Sequence, residues 1–147
     1  MTRFYPTDEA VTRIGHGVVE RTLPKPDWTH AAHFAACLWL LRDRPRAAVL
    51  ADMPGLIAAY NEATDTPNTD TGGYHHTITV ASIGAASAFL GRYRVNHPLH
   101  EVVDDLMASP LGAPGWLLDY WSKGRLFSIE ARRGWVAPDI QAFPHGV

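Results

Sequence analysis

The chain has 147 residues, 46% of them hydrophobic and 19% charged, with five Trp and a formal net charge of -2. That is the make-up of a folded globular chain of one domain, 1–147, rather than of a disordered one. The slight acidic excess argues against a nucleic-acid binder, which carries surplus basic charge.

One cysteine, Cys37, sits in an apolar run and rules out an intrachain disulfide, as suits a reducing compartment. The first ten residues, MTRFYPTDEA, lack the apolar core of a secretory signal. The longest apolar run, residues 34–41, is far short of the roughly 18 to 20 residues that span a bilayer. The expectation is a cytoplasmic protein with no membrane partner.

In chain order, Thr7, Asp8 and Glu9 mark a helix start, and Val11, Ile14 and Val18 follow at helical spacing. Gly15 and Gly17 weaken that helix or let a neighbour approach closely. Pro24 and Pro26 end it, and Asp27 is a good N-cap for the next helix, Trp28 to about Arg42. This second helix is apolar nearly all round, as a buried helix is. RDRPR, Arg42 to Arg46, is a short basic cluster interrupted by Asp43 and Pro45, and reads as a solvated corner between helices.

A third helix spans Ala47 to Ala63, with a kink or a restart capped by Asp52 expected at Pro54. TDTPNTDTGG is a long turn-rich loop. A fourth helix runs from His75 to about Tyr93, and a fifth carries Leu99, Val102, Val103 and Leu106 on one face. Trp116 to Trp121 forms a short apolar turn. Ser128 caps a last helix, IEARRGWV, with Glu130 where the helix dipole favours an acid. The expected architecture is all-α, a compact four- or five-helix bundle with one long Thr/Asp/Gly-rich loop.

The chemistry concentrates in two stretches, WTHAAH and TGGYHHT, which hold four of the eight histidines. His30 and His33 are three apart and project from one helix face, a spacing that suits two imidazoles on one metal ion. Their place near a helix start disfavours imidazolium, so the rings stay neutral and able to bind metal or accept a proton. The bland alternative is a pair of partly buried rings bonded to carbonyls or to Asp27.

His75 follows Gly72-Gly73 and heads a stripe that continues with Thr79, Ser82 and Ala86, small or polar residues that leave room for a ligand. His76 is turned about 100° away. His30, His33 and His75 are therefore the candidate ligands of a divalent transition metal, with Zn, Fe or Ni suiting imidazole better than Mg or Ca does. Tyr74, Asn61, Glu62 and Arg125 are candidate ligand-binding groups. Glu62 lies off the apolar stripe of its helix, and Arg125 has a salt bridge to Asp119 or Glu130 as its alternative role. His97 and His100 form another i, i+3 pair, but flanking acids assign them to the surface. GxxxxGK[ST] and GxSxG are absent, and the acids of TDTPNTDTGG do not fall at calcium-loop positions.

WTHAAH, AYNEAT, TGGYHHT and RLFSIEARRGWVAPD together resemble a widespread family of small uncharacterised bacterial proteins, over Trp28 to Asp139. The resemblance implies a compact helical protein with a shared site and no named activity. The chain departs from that pattern at His76, where the family has Glu. DinB-like metal-binding bundles offer a looser analogy of architecture alone, because their first His pair is spaced differently.

The leading expectation is a metal-binding helical protein, with a metal-dependent enzyme acting on a small polar molecule as its extension. The alternatives are a binding module whose histidines hydrogen-bond a small molecule or a partner, and a scaffold whose histidines only support the core. The aromatic C-terminal part could provide a homodimer surface.

Overall fold

The computed structural model describes residues 3–146. Among them the fold is all-helical, without strands. Thr7 caps α1 (Asp8–Val19), its side chain accepting from the Ala10 N–H, and Val11, Ile14 and Val18 are buried. Gly15 is required on this face because the ring of Trp39 lies where a Cβ would be.

α2 (His30–Asp43) starts two residues after the expected Asp27 cap, and its N-cap is Thr29, whose hydroxyl accepts from the Ala32 N–H. Pro24 and Pro26 wind a 3-10 turn through Lys25–Asp27, and the chain must extend at Thr29 before a helix can begin. Asp27 pairs with Arg13 at 3.2 Å instead.

α3 (Arg46–Ala63) runs unbroken through Pro54. The helix forfeits the Pro54 N–H bond there, but Val49, Met53, Ile57 and Tyr60 are all buried and hold both halves against the core. Asp52 is not a cap; it is exposed and lies 3.5 Å from Arg44. α4 (His76–Leu90) has His75 as its N-cap residue and buries Thr77, Val80, Ala81 and Ile83 despite the β-branched start. α5 (Leu99–Ala108) buries the four apolar positions of its stripe.

Two 3-10 turns, Pro110–Gly112 and Trp116–Asp119, lead into α6 (Lys123–Leu126) and α7 (Ile129–Arg133). Seven helices stand among the described residues, against the expected four- or five-helix bundle; α7 is the expected last helix, capped by Ser128, and α6 is a further single turn, capped by Ser122. α7 stops at Arg133 instead of reaching Val136. The Thr77 hydroxyl donates to Gly134 O at 2.8 Å and accepts from Val136 N at 3.2 Å, drawing that segment out along α4.

One buried cluster joins residues of α1 to α6, with Phe34, Leu38, Tyr60, Ile83, Leu106 and Trp121 among its largest members. Trp121 is closed over by Trp135 and Phe143, at ring-centroid distances of 5.5 and 5.3 Å. No helix among the described residues is long and apolar enough to cross a membrane.

Candidate functional site

The N-terminal turns of α2 and α4 meet the C-terminal half of α3 around two adjoining cavities. The first, about 320 Å³, has walls of Phe34, Ile78, Trp116 and Leu117 with His30 and His33 at its polar edge. The second, about 400 Å³, is bounded by Lys25, Trp28, Asn61, Tyr74, His75 and Thr79. His33 and Ile78 line both, so His33 stands at the junction.

The tautomer of His33 follows from its partner. Its Nδ1 lies 2.7 Å from the Thr29 carbonyl, which can only accept, so Nδ1 donates and Nε2 is left as an acceptor. The ring stacks on Trp28 at a centroid distance of 3.7 Å and an interplanar angle of 28°. His33 is nevertheless an exposed residue. Desolvation by the surrounding protein, with smaller contributions from His30 and Lys25, lowers its pKa to about 4 and keeps it neutral. His30 is half-buried and donates from Nε2 to Leu111 O at 2.9 Å, which leaves Nδ1 as its acceptor.

His75 is used differently. It is buried, its Nδ1 accepts from the Ile78 N–H at 3.2 Å, and its Nε2 donates to Leu126 O at 2.7 Å. Both nitrogens are spent, on capping α4 and on tying it to α6. Burial also pushes its pKa down, which favours the neutral ring these bonds need. A ring so engaged has no lone pair for a metal, so His75 leaves the expected ligand set. Among the described residues no group of three or more His, Cys, Asp or Glu side chains is placed to hold a metal ion. Cys37 is buried, and desolvation pushes its thiol up to about 12, so it supplies no thiolate.

The other candidates divide. Asn61 and Tyr74 line the second cavity. Asn61 donates to Asn68 Oδ1 at 3.1 Å, and the Tyr74 hydroxyl lies 2.8 Å from His76 Nδ1. Glu62 is exposed and lines neither cavity. Arg125 is also exposed and lines neither cavity; its Nε donates to Ala137 O at 2.5 Å, and it makes no ion pair with Asp119 or Glu130 among the described residues. His100 reaches the surface carboxylate of Asp8 at 2.6 Å, and His97 lies 3.6 Å from Glu101.

Sequence reasoning missed Trp28, Phe34 and Trp116 as cavity walls. Trp28 adjoins Thr29 and His30 in WTHAAH and was open to inference as a stacking partner. Trp116 reaches the site across more than eighty positions of sequence, and no local signal announces it.

The loop between α3 and α4 is held against the second cavity by Asn68. Its Oδ1 accepts from Asn61 and from the Tyr74 N–H, and its Nδ2 donates to Ala58 O at 2.9 Å. Gly73, at φ +77°, passes so close that a Cβ would lie 2.5 Å from Pro67 O and 2.8 Å from the Asn68 Cα. Arg133 grips Asp70 of the same loop through two bonds of 2.7 Å. No protein-family model matches the chain, and no curated protein or solved structure matches it significantly.

Proposed function

We propose that the protein binds a flat, mostly apolar small molecule carrying an N–H or O–H donor, with His33 Nε2 as the acceptor that orients it. The observation that carries this reading is the state of His33. Its ring is neutral, fixed in tautomer by Thr29 O, backed by Trp28, and set at the junction of two cavities. Ligand sites commonly combine apolar walls with a few convergent polar groups, and the first cavity has that balance. Asn61, Thr79 and Tyr74 supply further polar groups in the second. The chain then works as a binding module in which the neutral His33 serves as a hydrogen-bond acceptor.

Titration with indole and benzimidazole, read from backbone amide shifts, tests it. Saturable shifts at residues 30–34, 74–82 and 114–117 are expected. His33→Ala should weaken binding by about tenfold, the worth of one buried hydrogen bond. No saturable shift, or equal affinity in the variant, would count against it.

A metal-binding reading survives in reduced form, because His30 Nδ1 and His33 Nε2 have no partner among the described residues and both rings line one cavity. Two imidazoles with exogenous ligands would hold Zn, Fe or Ni. Elemental analysis of tag-free protein discriminates: bound metal that survives His75→Ala but not His30→Ala supports it, and metal-free protein opposes it.

A further inference from the structure

The opposite end of the same helices carries a third cavity, about 330 Å³, between the C-terminal turns of α2 and α4 and the start of α3. Four arginines line it, Arg42, Arg44, Arg46 and Arg94. Among the described residues their one ion pair within 4 Å is that of Arg44 with Asp52, 3.5 Å apart and exposed, and the charge of Arg42 also helps to lower the pKa of Asp8. Arg42 and Arg46 spend one nitrogen each on the carbonyls of His97 and His145. The Nη2 of Arg46 is buried beside Gly84 without a hydrogen-bond partner among the described residues, so it is not one of the groups a ligand in the cavity would reach.

So concentrated a positive charge, in a chain of net charge -2, costs self-repulsion unless an anion relieves it. The uncapped N-terminus of α3, where Pro45 offers no side-chain acceptor, adds to the same potential. Guanidinium forks match the tetrahedral oxygens of phosphate. The space exceeds what a bare phosphate needs, and Leu41, Leu90 and Val95 provide an apolar wall beside the arginines.

We propose that this cavity binds the phosphate of a small phosphate monoester, with Arg44 and Arg94 as the accessible clamps and the apolar wall against the organic part. RDRPR, which reads in the sequence as a solvated corner, is then one side of a binding site, independent of the His33 cleft.

Phenyl phosphate is the probe, with benzyl alcohol and inorganic phosphate beside it, followed by backbone amide shifts of the full chain. The expected result is saturable binding of phenyl phosphate mapped to residues 41–47 and 87–95, with benzyl alcohol silent and inorganic phosphate weaker. Arg44 and Arg94 are exposed, so Arg44→Ala and Arg94→Ala should keep the fold, and each should lower affinity by about tenfold. Unchanged affinity in both variants, or the same shifts from benzyl alcohol, overturns the proposal. So does binding to phosphatidic-acid vesicles with no response to phenyl phosphate, which would move the site to a membrane surface.

Discussion

Adding one methyl group at Gly73 tests how tightly the loop is drawn against the cleft. The alanine would have to hold φ +77° and place its Cβ within contact of the Pro67 and Asn68 backbone, which cannot yield as a side chain end can. Gly73→Ala should cost about 2 kcal/mol or more in chemical denaturation. Gly72→Ala, whose Cβ would meet only Thr69 Oγ1 at 3.8 Å, should cost well under half of that. The glycine pair was legible in the sequence as a place for close approach, but nothing local distinguishes its two members. The same limit applied to the histidines. Spacing put His30 and His33 on one face, yet what each nitrogen does depends on Thr29 O, Leu111 O and Leu126 O, and two of those carbonyls come from distant sequence.

At the level of elements, helix starts carry the most accessible predictions. Thr29→Ala removes the hydroxyl that accepts from Ala32 N and should destabilise by about 1 kcal/mol, whereas Asp27→Ala should cost less, since its exposed pair with Arg13 contributes little. His75→Ala should cost roughly 1–3 kcal/mol, because it orphans the Ile78 N–H and the Leu126 carbonyl. Denaturant midpoints measured at equal slope check all three. Helix identity was readable for α1 to α5 from periodicity and capping residues. The errors fell where tertiary contacts decide: at Pro54, which buried neighbours carry through, and after Arg133, where Thr77 competes for the backbone.

For the whole molecule, acid is an informative stress. His33, His75 and His145 all have folded pKa values below the ordinary 6.5. The unfolded chain therefore takes up protons first, and stability must fall as pH drops from about 6.5 toward about 4, with no loss from these groups at higher pH. Urea midpoints of metal-free protein should decline over that window, and His33→Gln should flatten the decline. A pH-independent midpoint would contradict the lowered pKa values. Trp121 binds the C-terminal segment into the same core, fully buried and donating to Val136 O at 3.0 Å, so Trp121→Ala should cost about 3–5 kcal/mol. All-helical architecture was legible at this scale. The meeting of α2, α3 and α4 around cavities at both of their ends was not, since it depends on which helix ends lie together. The stack of Trp28 on His33 gives the cleft a built-in optical reporter. An imidazolium quenches the emission of an indole in contact with it, so the fluorescence lost on replacing Trp28 by Phe, followed against pH, would read the charge of the cleft histidine without any added dye.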